Sequence, residues 1–228
     1  MTTIDLYHGA GYVRLVEAWG SDERIIESAR MSTDGAFRGW GTPEAPGDEK
    51  LLRYLLEHQH HTPFEMAGAH VEMQVPVFVL RQIQRHRAAS YNELSARYVE
   101  IEETFWAPAP EDLHAQPAGK KQGGAGSLDN NTADWAAHII IAAQRDAFEA
   151  YGHLLSAGVC REQARAVLPL GMLTRCRMAC NLRMWLHFLR LRLDPHAQEE
   201  TRVVAEGIAS MLRQAFPRTM GLFDEGKP

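Results

Sequence analysis

The segment "AHVEMQV", residues 69–75, sets Ala69, Val71, Met73 and Val75 against His70, Glu72 and Gln74. A strict period of two fits a half-buried strand and cannot present one apolar face on a helix. Pro76 follows at once. It has no N–H to give to a ladder, so it ends the strand, and its fixed φ suits the opening of a helix that carries Phe78, Val79, Leu80 and Ile83. Most other periodic stretches have helical spacing, and no alternation of strands with crossover helices runs through the chain. The expectation is therefore an α+β protein rather than a dinucleotide-binding α/β fold.

The helical stretches carry their own punctuation. "SDERIIESARMS" opens on Ser21 as an N-cap, with acids in the first turn and Ile25, Ile26 and Ala29 at helical spacing. "GDEKLLRYLLEHQH" repeats Leu51, Leu52, Leu55 and Leu56 on one face. In "TPFE", Thr62, Pro63 and Glu65 have the spacing of a capping box with proline at the first helical position. Residues 106–132 are rich in Pro, Gly and polar side chains and are expected to form a long loop. A helix follows from Ala133 to Ala157, closed by Gly158, then a short one over 160–168 stopped by Pro169 and Gly171. "TRCRMACNLRMWLHFLRLRLD" fits either a helix throughout or a strand followed by a helix. The last periodic stretch ends at Pro217.

Charge narrows the function. With a net charge of −5 and few aromatics among its basic residues, the chain does not read as a nucleic-acid binder. Of 24 basic residues 20 are Arg and four are Lys, and the arginines cluster: four lie within 81–97 and seven within 161–192. Arginine-preferring codons can account for the total but not for the clustering. A guanidinium fork matches phosphate and carboxylate geometry, so anionic ligands are expected. No apolar run reaches the length of a membrane span, and "MTTIDLYHGA" has neither the basic nor the apolar region of a secretory leader. Cys160, Cys176 and Cys180 cannot all pair with one another, which suits a reducing cytoplasm. His58 and His61 stand three apart without the cysteines or the HExxH pattern of a zinc site, so no metal is expected.

The stretch "RHRAASYNELSAR", Arg85 to Arg97, is the densest in chemistry. On one unbroken helix His86, Ser90, Glu93 and Arg97 share a face, but Arg85, His86 and Arg87 then point in three directions. A turn near Ala88–Tyr91 lets them converge. With eight specified residues in thirteen positions, the stretch resembles the RHRxxSxNExSxR signature of the flavin-dependent thymidylate synthases. "HHTPFE", "REQARAVLPL" and "NLRMWLHFLRLRLDPHAQ" are similar to three further segments of that family, so the resemblance runs from about Ile25 to Ala215.

The resemblance implies a mostly helical single domain over 1–228, with a central antiparallel sheet flanked by helices. It implies FAD as cofactor, held by His60, Thr62, Arg85, His86, Arg87, Glu93, Asn181, Leu182, Arg183 and His187. It places dUMP against Gln82, Ile83, Gln84, Arg85, Glu93, Leu94, Ser95, Ala96, Arg97, Arg165 and Arg192. Arg192 would be the catalytic group, stabilising charge on the uracil. The implied reaction makes dTMP from dUMP, with 5,10-methylenetetrahydrofolate as carbon donor and NADPH as reductant, in a homotetramer that shares its active sites. Ser95 has no evident His–Asp relay beside it, so phosphate binding rather than nucleophilic attack is expected of it. A non-catalytic flavin- or nucleotide-binding regulator on the same fold is the alternative. Arg190 and Arg192 lie about 200° apart on a continuous helix, so only Arg192 is expected to face the ligand.

Overall fold

The alternating segment occupies the middle of the sheet. A computed structural model describes residues 3–42, 44, 45, 47–119, 123, 124 and 126–226. Strands β1 (Thr3–Leu6), β2 (Gly11–Trp19), β3 (Gly68–Pro76), β4 (Ser90–Glu93) and β5 (Leu173–Asn181) pair antiparallel in the order β1-β2-β3-β5-β4. Val13 lies opposite Met73, and Val71 opposite Met178, so their side chains share one face. On that face Val13, Ala69, Val71, Met73 and Val75 are fully buried. The opposite face is polar. Glu72 is 3% exposed there and accepts from Tyr12 Oη (2.8 Å), Arg14 Nη2 (2.6 Å) and Arg177 Nε (2.8 Å). These partners hold its carboxyl below the usual range although burial alone would raise it.

Helices cover the apolar face. Helix α6 (Leu182–Arg192) buries Leu182, Trp185, Leu186, Phe188 and Leu189, and Trp185 Nε1 donates to the Ala69 carbonyl at 3.1 Å. Helix α7 (Glu199–Ala215) comes close to β2 because residue 207 is glycine: a Cβ there would stand 2.6 Å from Val13 Cγ2. Pro217 ends α7 as expected and also opens a further helix, α8 (Pro217–Glu225). The buried carboxylate of Asp22 accepts from the N–H groups of Arg218 (2.8 Å) and Thr219 (3.1 Å) and from Thr219 Oγ1 (2.6 Å). It thereby caps α8 from the start of α1 (Asp22–Arg30). Ser21 caps α1 as the sequence suggests, accepting from Arg24 N at 3.3 Å.

Two local expectations change and one open alternative is resolved. Thr62–Met66 is a 3₁₀ helix, and the position before it is His61 in helical conformation, so Thr62 is not an N-cap. The Phe64 N–H already has the His61 carbonyl at 3.0 Å, which removes the demand a capping box would meet. Helix α3 (Val77–Ile83) stops before the signature, the chain turns over 84–89, and β4 begins at Ser90, slightly earlier than a turn at Ala88–Tyr91. The Tyr91 hydroxyl braces that turn, 2.8 Å from the Ile83 carbonyl and 3.1 Å from that of His86. Residues 173–192 resolve to strand then helix, β5 then α6.

Strands β1 and β2 were not expected at all. The long loop holds a 3₁₀ turn at Pro110–Asp112 and a bridge between His114 and Ser127, and helix α4 (Asn130–Ser156) begins earlier than Ala133. Residues 120–122 and 125 of its Gly-rich part, like residues 1 and 2, lie outside the described residues. No helix among the described residues is long and apolar enough to cross a membrane.

Two cores result, and they divide the signature. The main core lies between the sheet and α6, α7 and α8 and includes Leu80, Ile83, Met178 and Leu186. A smaller cluster joins Ala96 and Ile101 to Phe148 and Tyr151 of α4 and to Ala164 of α5 (Arg161–Ala164). Arg85–Arg87 therefore stands on the first core and Ser95–Arg97 beside the second.

Candidate active site

Where α3 ends, the turn after Ile83 and the outer side of α6 enclose a cleft of about 500 Å³. Its floor is apolar: Phe64, Met178, Cys180 and Leu186 line it and are all buried. Its walls are cationic or imidazole-bearing, from Arg85, His86, Arg87, Arg183, His187, Arg190, Arg192 and His61. Helix α6 supplies four of these because Arg183, His187 and Arg190 recur at spacings of four and three, and Arg192 follows on the last turn. Arg183 Nη1 pairs with Glu65 Oε1 at 2.5 Å, which fixes it against the 3₁₀ helix.

Arg192 is the most constrained cation. Its Nε donates to His86 Nε2 at 3.0 Å and its Nη2 to the Gln82 carbonyl at 3.0 Å. A donated hydrogen bond requires His86 Nε2 to be unprotonated, so the imidazole is neutral with its proton on Nδ1. Burial, then the neighbouring Arg192 and His187, agree with this and lower His86 to about 4. Its ring also lies 4.8 Å from that of Phe188 and 6.0 Å from that of His187, centroid to centroid. Burial lowers His61 as well, helped by Arg183 and Arg190.

A second cleft of about 350 Å³ lies between the start of α3, the chain after β4 and residues 165–172. Glu93, Leu94, Ser95, Ala96 and Arg165 line it, with Arg81 and apolar neighbours. Glu93 is held in place: Thr174 Oγ1 donates to Oε1 at 2.9 Å and Gln84 Nε2 to Oε2 at 3.4 Å. Leu94 N donates to the Arg175 carbonyl at 2.8 Å, fixing the backbone beside Ser95.

The residues expected from the sequence thus fall into three groups. Arg85, His86, Arg87, Arg183, His187 and Arg192 meet in the first cleft, and Glu93, Leu94, Ser95, Ala96 and Arg165 in the second. The others line neither. Ile83 and Leu182 are fully buried core residues. Asn181 caps α6, accepting from Met184 N at 3.0 Å. Gln82 is hydrogen-bonded through its side chain to Gln198. Arg97 lies 3.6 Å from Glu162 and 2.9 Å from the Tyr98 hydroxyl, and Thr62 is exposed. His60 is exposed with its ring against Tyr54, and its neighbour His61 lines the cleft instead.

Arg190 also differs from expectation, since it and Arg192 both line the first cleft. Arg190 stands beside Phe223 (5.9 Å to the ring) and Arg192 beside His86. Neither His61 nor Arg81 was expected to take part. His61 is legible only once the turn before Phe64 is known, and Arg81 stands directly before the recognised stretch.

The family model described as "thymidylate synthase complementing protein" matches residues 14–218. The chain belongs to the flavin-dependent thymidylate synthase family. A flavin-dependent thymidylate synthase of Gluconobacter oxydans is 38% identical over 218 residues, covering 94% of this chain and 70% of that protein. One from Kosmotoga olearia is 38% identical over 213 residues, covering 93% and 90%. Among solved structures, a UMP/dUMP methylase, PolB of Streptomyces cacaoi, bound with 5-Br dUMP, has a TM-score of 0.83 at 31% identity, covering 94% and 95%.

Family membership brings FAD, and the first cleft fits it chemically. An apolar floor suits a flavin ring, and Arg85, Arg87 and Arg183 at the walls suit a pyrophosphate. Among the described residues no group of three His, Cys, Asp or Glu side chains is placed to hold a metal ion.

Proposed function

We propose that the chain methylates dUMP to dTMP, with FAD as cofactor, 5,10-methylenetetrahydrofolate as carbon donor and NADPH as reductant. The observation that carries this reading is the convergence of Arg85-His86-Arg87 with Arg183, His187 and Arg192 around one apolar-floored cleft. FAD, when bound, would supply the two-electron redox chemistry of the reaction. The protein's part is to bind, orient and stabilise charge. Arg192, fixed by His86 and Gln82, presents its remaining N–H groups to a ligand oxygen and stabilises the negative charge that builds on a uracil ring. Family membership and the dUMP-analogue complex of the Streptomyces methylase support the choice of substrate.

No protein nucleophile is needed on this reading. Burial pushes the Cys176 thiol up to about 11 and the Cys180 thiol up to about 12, so both stay protonated at neutral pH. Ser95 Oγ accepts from Arg97 N at 3.4 Å and, among the described residues, has no imidazole partner. Reduced thiols at all three positions suit a cytoplasmic setting.

The dUMP site is shared between subunits of a homotetramer. Arg85 and Arg192 line one cleft, Ser95 and Arg165 another, and the two clefts have no lining residue in common. Two copies that bring opposite halves together would let a single nucleotide meet both sets, which supports a shared site. The test is to purify the protein and measure flavin absorbance, sedimentation, and dTMP formed from dUMP with each co-substrate omitted in turn. A yellow tetramer that requires both co-substrates is expected. A protein that binds FAD and dUMP yet forms no dTMP would make it a regulator, and a fully active monomer would refute the shared site.

A further inference from the structure

Helix α4 braces both walls of the second cleft without lining it. On one side Phe148 and Tyr151 pack with Ala96, next to Ser95, and Tyr151 Oη accepts from Ile101 N at 3.3 Å. On the other side Gln144, 5% exposed, lies against Gly171. Its Nε2 donates to the Trp106 carbonyl at 2.7 Å, and Trp106 N donates to the Gly171 carbonyl at 2.8 Å. The flanking carbonyls of Leu170 and Met172 accept from Phe78 N (3.1 Å) and Val77 N (3.0 Å) at the start of α3. Leu170 and Met172 line the cleft, as does Leu168, whose N–H donates to the Arg165 carbonyl at 3.1 Å.

Gln144 and Gly171 are matched in size. A Cβ at residue 171 would collide with Gln144 Oε1 and stand 2.7 Å from Gln144 Cδ. The three atoms nearest to such a Cβ all belong to Gln144, and Gly171 has no positive φ. Glycine is therefore required here by its neighbour and not by the backbone. Gln144 cannot swing aside without giving up the Trp106 carbonyl, and the same bond fixes which end of the amide faces Gly171. Oε1 is buried and, among the described residues, has no hydrogen-bond donor. An apolar side chain of similar length would avoid that unmet acceptor, so packing alone does not account for glutamine at this position. What glutamine adds is the tie from α4 to Trp106, and through Trp106 to Gly171.

We propose that Gln144, seated against Gly171, is a positioning residue that sets the distance between the Ser95–Ala96 and Leu170–Met172 walls of the second cleft, and with it the affinity for the nucleotide. The proposal rests on the reading of that cleft as half of the dUMP site. Gln144 acts through Trp106 and Gly171 and needs no contact with the ligand. Misplacing a binding group by about 1 Å costs on the order of 100-fold, so a small shift of this wall is enough to be measured.

The test measures dUMP binding by calorimetry, flavin content, KM for NADPH and denaturant melts on the holoenzyme. The variants are Gly171→Ala, Gln144→Met, and the double variant that combines Gln144→Ala with Gly171→Ala. Gly171→Ala should weaken dUMP by on the order of 10- to 100-fold. Gln144→Met keeps the length of the side chain and removes both the tie and the unmet acceptor. It should melt near wild type and still bind dUMP about 10-fold more weakly, the size of one lost hydrogen bond. The double variant has no clash, so its loss should be close to that of Gln144→Met and smaller than that of Gly171→Ala. Flavin content and KM for NADPH should stay at wild type throughout, because the first cleft shares no residue with this wall. Variants that melt earlier yet bind dUMP as wild type does would reduce Gln144 to a structural role and overturn the proposal. A double variant weaker than Gly171→Ala would overturn the pairing. Should Gly171→Ala not fold, folding of the double variant reports the pairing and Gln144→Met reports the positioning. Arg165→Ala tests the underlying reading: unchanged dUMP affinity there would overturn the second cleft as a nucleotide site, independently of the Gln144 variants.

Discussion

Replacing Arg192 by lysine keeps the charge and removes the geometry, which separates two roles the side chain combines. A guanidinium has five N–H groups. One, on Nε, goes to His86 and one, on Nη2, to the Gln82 carbonyl, each at 3.0 Å. That leaves both hydrogens of Nη1 and one of Nη2 for a ligand. A lysine ammonium is a single nitrogen, so it cannot keep both anchors and still present a donor at the same place.

Losing one charge-assisted hydrogen bond costs ~1.5–3 kcal/mol, so Arg192→Lys should lower the turnover of dTMP formation roughly 10- to 100-fold. Arg192→Ala removes the stabilising group outright and should cost roughly 10²–10³. Flavin content should stay at the wild-type level in both, because Arg85, Arg87 and Arg183 remain in the cleft. Arg190→Ala is the control. Its contact with the Phe223 ring at 5.9 Å is worth ~0.5–1 kcal/mol of stability and should leave turnover near wild type. The assay is flavin absorbance, NADPH oxidation and dTMP yield on the three variants side by side. If Arg190→Ala abolishes dTMP formation while Arg192→Ala turns over normally, the residue assignment is refuted.

Two further outcomes follow from the same geometry. His86 is held neutral in the fold, near 4, but protonates at its ordinary value near 6.5 when unfolded, so the unfolded chain binds the extra proton and stability should fall as pH drops from 6.5 towards 4. His86→Gln should flatten that slope in denaturant melts of the flavin-free protein, and an unaltered slope would show that His86 is not its source. Ser95→Ala and single Ala replacements of Cys160, Cys176 and Cys180 should each still form dTMP, and a covalent dUMP adduct mapped by mass spectrometry to any of the four would defeat the cofactor-only mechanism.

Strand β3 is legible in the sequence because one of its faces is apolar throughout and the other is not. Its partner β5 was legible only as one of two readings, since "TRCRMACN" alternates apolar and basic residues but runs straight into helical spacing. What decides it is the pairing of Glu72 with Arg177, 105 residues away, where a nearly buried carboxylate needs the basic face of β5 beside it. Strands β1 and β2 are not legible in the sequence although Val13 and Leu15 alternate with Tyr12 and Arg14. A register shift between Leu15 and Glu17 breaks the alternation before it is long enough to read.

The site was legible as a set of residues and not as a place. The signature "RHRAASYNELSAR" looks like one binding segment, yet the turn over 84–89 and the short strand β4 carry its two ends to different cores. Arg85–Arg87 is fixed by α6 through the bond between His86 and Arg192, while Ala96 packs with α4 and α5. A segment thirteen residues long that turned back on itself could have closed one pocket within one chain. This one is held open by β4 lying against the rigid edge of β5, with Ser90 paired to Ala179 and Glu93 to Cys176. With its two ends on different cores, the signature fits the proposed arrangement in which a second copy of the chain completes the site.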